Sequence, residues 1–152
     1  MTIGASNQMI GQAGLYFVAG EMCRRGARNV VFKKDGRRTT LIIGTGDGDR
    51  LLDVQVKTKT AGDWQSSVKE GGEPSRANGF WILVDLMKTV ETIPNYYIVP
   101  DAAMRKIIRE DYEAYLARHG GERARNPSSK HFAIKLKFIA QYKDRWEQLD
   151  LL

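Results

Sequence analysis

A row of polar side chains follows one face of an otherwise apolar segment, LLDVQVKTKT at 51–60. Successive side chains of an extended strand point to opposite faces, so Asp53, Gln55 and Lys57 share one face and the residues between them share the other. A carboxylate, an amide and an ammonium group supply part of what metal-dependent phosphodiester hydrolysis needs: oxygen ligands for a divalent cation and a positive charge near the phosphate. The same alternation is typical of an ordinary half-exposed strand, so the spacing alone leaves both interpretations open.

The basic residues concentrate near the start of the chain. Residues 1–60 contain ten Lys or Arg against five Asp or Glu, whereas residues 61–152 contain fourteen against thirteen. Seven basic residues lie within fifteen positions: Arg24, Arg25, Arg28, Lys33, Lys34, Arg37 and Arg38. Such a cluster is typical of a surface that contacts a phosphate backbone, although solvated basic faces are common too. We therefore expect nucleic acid as a partner, with Lys59 as a further phosphate contact and Trp64 as a side chain that stacks on a base.

The length and composition predict one domain. The chain has 152 residues, enough for one hydrophobic core and too few for two of ordinary size. It is 42% hydrophobic and 28% charged, which is typical of a globular protein. No apolar run approaches the about 20 residues of a membrane span, and the first residues lack a signal-peptide pattern, so we expect a cytoplasmic protein without a membrane partner. The one cysteine, Cys23, is expected to be a small buried side chain in a helix.

A glycine-rich helix is predicted at the front of the chain, from about residue 7 to residue 25. Ser6 is a suitable N-cap, and Gly26 follows the basic last turn as a stop signal. Three glycines lower the helix propensity and indicate close packing: Gly11, Gly14 and Gly20.

The remainder predicts an α+β domain with a sheet in its middle. Strands are expected at 29–33, 39–45, 51–58, 80–86 and 96–99. The first three form an antiparallel meander, and the fourth is apolar on both faces and is therefore expected at the centre of the sheet. Residues 60–79 are polar and rich in Gly and Ser, which predicts a long loop or an excursion of the chain away from the sheet. Helices are expected at 101–118 and 140–149, with a basic linker at 122–130 and a short extended segment between them.

Longer blocks of the sequence resemble a nuclease superfamily. The blocks are GQAGLYFVAGEMCRRG, DVQVKTKTAGDWQ, FWILVDL followed by YYIVPDAAM, and YKDRWEQL near the end. A leading glycine-rich helix, a β meander with QVKT in its third strand and a Trp after a short polar step are similar to the PD-(D/E)XK nucleases in their QxK variant. The most similar group comprises small stand-alone bacterial members related to Holliday-junction resolvases. The resemblance implies a restriction-endonuclease-like core, a mixed sheet flanked by helices, over residues 1–152.

The resemblance also assigns site residues, position by position. Gln55 corresponds to the amide or acid ligand of the metal, and Lys57 corresponds to the catalytic lysine. Thr40 stands where the family has a metal-binding aspartate, and Leu15 stands where it has the helix glutamate. Both strong carboxylate ligands are therefore missing, and Asp53 is the best available substitute.

Three functions remain open at this stage. A single amide and one displaced carboxylate would hold Mg²⁺ poorly, which favours a pseudonuclease that binds duplex or branched DNA without a cofactor. The second alternative is an active deoxyribonuclease that uses Mg²⁺ or Mn²⁺ with Asp53 or an aspartate of the turn at 46–49 as ligand. The third is a protein-interaction accessory of a defence or mobile-element system that uses residues 60–79. Analogy with resolvase-like relatives also suggests a homodimer.

Overall fold

The computed structural model describes residues 1–36, 38–121 and 129–152. The helices are α1 (Asn7–Arg24), α2 (Lys69–Gly72), α3 (Asp101–Arg118) and α4 (Leu136–Ile139), followed by 3₁₀ turns at Ala140–Tyr142 and Trp146–Leu149. The strands are β1 (Asn29–Asp35), β2 (Arg38–Gly44), β3 (Leu51–Lys59), β4 (Trp64–Ser67), β5 (Gly79–Asp85), β6 (Asn95–Pro100) and β7 (His131–Ile134). Arg37 and most of the predicted linker at 122–130 lie outside the described residues. None of the described helices has the length and apolar character needed to cross a membrane.

The fold is α+β, with a mixed five-stranded sheet flanked by helices, and the strand order is β1-β2-β3-β5-β6. β1, β2 and β3 form the predicted antiparallel meander. β5 lies beside β3 in parallel and beside β6 in antiparallel orientation. The prediction that the strand at 80–86 is central is confirmed, because β5 has a neighbour on each side and is buried over most of its length.

The connection from β3 to β5 is a structured excursion, so of the two predictions for residues 60–79 the long loop is wrong. Parallel strands need a crossover connection, and here it contains β4 and the single turn of α2. β4 pairs with β7 in a separate antiparallel sheet, with Trp64 opposite Ile134 and both side chains buried. The partner of β4 lies 70 residues further along the chain, and the local Gly and Ser content gives no sign of it.

The two faces of the central sheet are covered by two hydrophobic clusters. The first cluster joins α1 to the side of β3 that presents Leu52 and Val54. The second joins α3, β4 and β7 to the opposite side, where Trp81 and Leu83 of β5 are buried. We call this second side the α3 face. Since Gln55 lies in register with Trp81 and alternates with Val54, it belongs to the α3 face.

Helix α1 begins as predicted, because the Ser6 hydroxyl accepts a hydrogen bond of 3.3 Å from the Met9 amide. The expected close packing holds at Gly14, where a Cβ atom would overlap the side chain of Thr58 on β3. It is wrong for the other two helix glycines, since a Cβ at either would meet no described atom within 4 Å. Cys23 is exposed, so its expected burial is also wrong.

The end of the chain is less helical than predicted. The short extended segment is confirmed as β7, but the expected helix at 140–149 is two separate 3₁₀ turns. Between them Asp144 has a φ of 54°, and after the second turn Asp150 has a φ of 49°. A residue in the left-handed conformation ends a right-handed helix, so a continuous helix cannot form here. The regularly spaced apolar residues Trp146 and Leu149 are instead buried by the second 3₁₀ turn.

Candidate functional site

The polar row on β3 lies on the α3 face, as the alternation predicts. Asp53 is paired with Ile42 of β2, and Leu41 is the last β2 residue in register with β3. Paired side chains share a face, so alternation along β2 places Thr40 and Arg38 on the α3 face beside the row. The structure therefore brings Thr40 to the row formed by Asp53, Gln55 and Lys57.

Gln55 has a buried amide that finds no hydrogen-bond partner in residues 1–36, 38–121 and 129–152. Its residue is 2% exposed, and neither Oε1 nor Nε2 bonds to any described residue. Leaving a buried polar group unpaired costs about 1–3 kcal/mol. A side chain retained at that cost indicates a partner that the protein chain itself does not provide.

Lys57 is half-buried next to this amide. Within the described ranges its ammonium group makes no hydrogen bond or ion pair. Burial lowers the pKa of Lys57, the positive charge of Arg38 lowers it further, and the negative charge of Glu70 acts in the opposite direction. Two neighbouring polar groups on β3, one neutral and one cationic, therefore lack partners among the residues that the structure describes.

The carboxylates around the row are paired with arginines. Asp53 Oδ1 lies 2.7 Å from Arg76 Nη1, an ion pair whose angles are not those of a hydrogen bond. Glu70 Oε1 accepts a 2.7 Å hydrogen bond from Arg38 Nη2. Glu70 Oε2 accepts a 2.8 Å bond from Arg105 Nη1. These carboxylates are neutralised by the protein itself.

A buried aspartate completes the group and links α3 to the crossover. Asp101 Oδ2 accepts hydrogen bonds of 2.8 Å from Arg105 Nε and from the backbone amide of Arg76. Its Oδ1 accepts from Trp81 Nε1 at 2.7 Å and from Arg76 Nη2 at 3.1 Å. The result is a chain of alternating charges, which we call the arginine network: Arg38, Glu70, Arg105, Asp101, Arg76 and Asp53.

The pKa shifts in the arginine network follow from these contacts. Burial alone would raise the pKa of Glu70, but the hydrogen bond and charge of Arg38 and the charge of Arg105 outweigh it, so the pKa is lowered. For Asp101, burial is likewise outweighed by hydrogen bonds from Arg105, Arg76 and Trp81, and its pKa is lowered as well. Both carboxylates are therefore ionised at neutral pH.

The residues present do not fit a magnesium or manganese ion. Metal coordination needs free anionic oxygens, and the nearby carboxylates are already bound by guanidinium groups. Among the described residues no group of three or more His, Cys, Asp or Glu could hold a metal. Asp47 of the turn at 46–49 accepts hydrogen bonds from Thr45 and from the Asp49 amide, so the turn uses it locally. Leu15 belongs to the core cluster of α1, across the sheet from Gln55.

The predicted basic cluster does not form one patch. Arg24 and Arg25 pair with Glu21 at 3.2 and 2.9 Å, and the Arg25 guanidinium lies over the ring of Trp146. The Arg28 guanidinium packs against the turn at Gly48. These three arginines therefore make contacts at the end of α1, with Trp146 and at the turn at 46–49.

Only part of the basic cluster reaches the α3 face. Lys33 is in register with Thr40 and shares its face, whereas Lys34 is in register with Thr39 and points to the other side. Arg38 also belongs to the basic cluster and lies on the α3 face, and 49% of its side chain is accessible to solvent. The α3 face therefore presents Lys33 and Arg38 beside Lys57.

Trp64 is buried, so the prediction that it stacks on a base is wrong. It is 1% exposed, and its Nε1 donates a 2.9 Å hydrogen bond to the Val84 carbonyl. The Lys59 ammonium lies 4.4 Å from the centre of the Trp64 ring and 3.6 Å from an Asp85 carboxylate oxygen. Lys59 is thus held by internal partners.

The sequence pattern identified the row on β3 but missed four members of the arginine network: Glu70, Arg76, Asp101 and Arg105. Glu70 and Arg76 lie in the segment that was predicted to be a loop. Asp101 and Arg105 are spaced as an i, i+4 pair at the start of α3, which is the one signal that the sequence offered.

Comparisons with known proteins found no match to a family model, a curated protein or a solved structure. The resemblance to PD-(D/E)XK nucleases therefore stays a prediction. Function has to be inferred from the geometry and charge of the α3 face.

Proposed function

We propose that the protein binds nucleic acid through phosphate groups on the α3 face and does not hydrolyse it. The observation that carries the proposal is the pairing of Asp53 and Glu70 with arginines beside Lys57, which has no partner in the described part of the chain. Counted with Asp101, three carboxylates face four cations, so the site has an excess positive charge. Such a site attracts phosphate and disfavours a divalent cation.

The solvent-accessible Arg38 and Lys33 side chains would bind the phosphate backbone of the nucleic acid. Arg38 uses only Nη2 for Glu70 among the described residues, so its other N–H groups are free to donate. An arginine can bind phosphate oxygens through two parallel hydrogen bonds, whereas a lysine acts as a point charge. Lys33, at the exposed edge, would extend the contact along the sheet.

Several features support a restriction-endonuclease-like core with a degenerate metal site. A leading helix packs through Gly14 on β3, and β3 is the third strand of a meander and holds Gln55 and Lys57. These are features on which the resemblance depends. The substitutions at Thr40 and Leu15 remove the acids that a nuclease of this kind would need.

An active nuclease is the second candidate, and one observation favours it. Gln55 Oε1 is a buried oxygen without a hydrogen-bond partner in the described part of the chain, next to a lysine. The third alternative, interaction through residues 60–79, has less support because Trp64 and Glu70 of this segment are buried.

Binding of a labelled duplex and of a four-way DNA junction, measured by fluorescence anisotropy at several salt concentrations, tests the proposal. The logarithm of the affinity should fall linearly with the logarithm of the salt concentration, because phosphate contacts release counterions. Lys57→Ala should weaken binding to all sequences alike and reduce the salt slope by about 1. Lys143→Ala is the matched control, since Lys143 is exposed and lies beyond β6, at the edge of the sheet opposite to β1 and β2, which carry Lys33 and Arg38.

Two results would contradict the proposal. One is an affinity that does not respond to salt. The other is plasmid cleavage with Mg²⁺ or Mn²⁺ that disappears in Lys57→Ala, which would make the nuclease the correct alternative.

A further inference from the structure

Glu70 lies at the point where the cations of the α3 face converge. Its two carboxylate oxygens are bound separately, one by Arg38 from β2 and one by Arg105 from α3. Its charge also acts on Lys57 of β3. Two elements thus direct a guanidinium toward one carboxylate, and the register places Lys57 on the same face of the neighbouring strand. Convergent cations of this kind are the arrangement that proteins use to bind a phosphate or sulfate group.

The position of Glu70 is fixed by the backbone around it. A Cβ atom on Gly71 would lie 2.8 Å from the Arg109 amide nitrogen, so the α2 turn packs directly on α3. Arg105 Nη1 also donates a 2.9 Å hydrogen bond to the Glu70 carbonyl. The carboxylate is therefore held among the cations by the fold and is not a surface side chain that happens to reach them.

The pairing leaves other groups of the site unsatisfied. Lys57 donates no hydrogen bond to Glu70, and the buried amide of Gln55 has no partner among the described residues. A carboxylate offers two oxygens in one plane, whereas a backbone phosphate offers two charged oxygens and two ester oxygens in a tetrahedral arrangement around a larger central atom. A larger anion could therefore satisfy cations that Glu70 leaves unpaired.

We infer that Arg38, Lys57 and Arg105 form a binding site for one phosphate group, and that the Glu70 carboxylate fills this site in the free protein. The inference rests on the proposed function and adds that the nucleic acid must compete with an internal anion. Arg38 is the exposed member, so the phosphate enters from its side. Arg105 keeps its ion pair with Asp101 when Glu70 is displaced, which leaves the inner part of the site intact.

Glu70→Gln tests the inference, because it removes the charge and keeps the shape. The affinity for the labelled duplex should rise about tenfold, as expected when one negative charge is removed a few ångströms from the bound phosphate. Glu73→Gln is the matched control: the residue lies three positions away, is exposed, and makes the same change in net charge. Its affinity should stay within about twofold of the unmodified protein, where only weak surface effects act. Arg38→Ala combined with Glu70→Gln should cancel the gain.

A titration with inorganic phosphate separates this inference from the proposed function. If Glu70→Gln binds phosphate more tightly than the unmodified protein and neither binds DNA, the phosphate site stands and the nucleic-acid proposal fails. If DNA binds but Glu70→Gln behaves like Glu73→Gln, or weakens binding as Arg38→Ala does, then Glu70 only positions Arg38 and the inference is overturned. Absence of phosphate and DNA binding in both proteins overturns both.

A measurement on the unmodified protein covers the case in which Glu70→Gln does not fold. The carboxylate carbon of Glu70 can be followed by ¹³C NMR as inorganic phosphate is added. Its resonance should shift with saturation as the carboxylate leaves Arg38. A resonance that stays in place while phosphate binds elsewhere would contradict the inference.

Discussion

Gln55 is a polar residue at a buried position, where an apolar side chain would be more stable. It lies in the middle of β3, and its amide is buried on the α3 face of the sheet. An unpaired buried group in a natural core calls for an explanation, such as a bound water, an ion or a ligand, and the proposed function supplies a ligand. Stability and binding should therefore respond in opposite directions when this side chain is changed.

Gln55→Met should raise the free energy of unfolding by about 1 kcal/mol, because the thioether fills a similar volume without an unpaired polar group. Urea unfolding followed by circular dichroism measures the change. Gln65→Met is the control, since Gln65 is exposed on β4 and the same substitution there should have an effect within about 0.5 kcal/mol. A loss of stability in Gln55→Met would show that the amide has a structural partner, such as an ordered water.

At the scale of single residues, alternation on β3 was enough to predict which side chains share a face. It could not predict that Glu70 binds Arg38, because the two residues are 32 positions apart and lie on different elements. The basic cluster shows the same limit, since Lys33 and Lys34 are adjacent in sequence and point to opposite sides of the sheet. Sequence proximity gives charge density along the chain but not on a surface.

Among the elements, α1 depends on one glycine for its distance from the sheet. Gly14 contacts Thr58, and β3 is the strand on which α1 packs. A side chain at this position would push α1 away from β3, the strand that carries Gln55 and Lys57. The packing of α1 is therefore connected to the geometry of β3.

Gly14→Ala should lower the free energy of unfolding by about 1–3 kcal/mol, because the new methyl group overlaps the Thr58 side chain. Gly11→Ala is the matched control in the same helix and should raise it by about 1 kcal/mol through helix propensity alone. Thermal or urea unfolding of the two variants gives the comparison. Equal effects at the two positions would contradict the close contact.

Helix α1, the meander and α3 could be predicted because each is specified by local signals: caps, turn residues and apolar periodicity. The segments that were predicted incorrectly depend on contacts between distant parts of the chain. β4 exists because β7 pairs with it, and the 3₁₀ turns near the end replace a helix where Asp144 and Asp150 are left-handed. Neither β4 nor the 3₁₀ turns are marked by a local sequence signal, so the prediction for these segments followed their amino-acid composition and apolar spacing.

For the molecule as a whole, the arginine network connects β2, the crossover, α3 and β3 through groups that are mostly buried. Asp101 is its most buried member and has bonds to Arg105, Arg76 and Trp81. Removing one member of a buried ion pair leaves its partner uncompensated and costs about 3–5 kcal/mol. Because protonation of a carboxylate removes its ion pairs, the packing of the crossover on α3 should become less stable at low pH.

The free energy of unfolding should fall on acidification, and Asp101→Asn should reduce this dependence. The pKa of Asp101 is lowered in the folded protein, so its contribution is complete above its usual pKa of about 3.9 and is lost as the pH falls through the lower folded value. Urea unfolding at a series of pH values between about 6 and 2.5 measures it. Glu113→Gln, at an exposed position of α3, should leave the pH dependence unchanged. An identical pH profile for Asp101→Asn and the unmodified protein would contradict the role of the network.

The outer edge of β1 has no strand beside it in the described part of the chain, and it exposes Val31 and Phe32 at 52% and 42%. An uncovered edge with apolar side chains on both sides is a template for aggregation, and lysines next to it are a common protection. Lys33 and Lys34 follow directly, one on each side of the strand. Their charges would thus keep copies of the protein apart in solution whether or not a nucleic acid is bound. Variants that neutralise either lysine would lose solubility, whereas only the loss of Lys33 would also remove a phosphate contact on the α3 face.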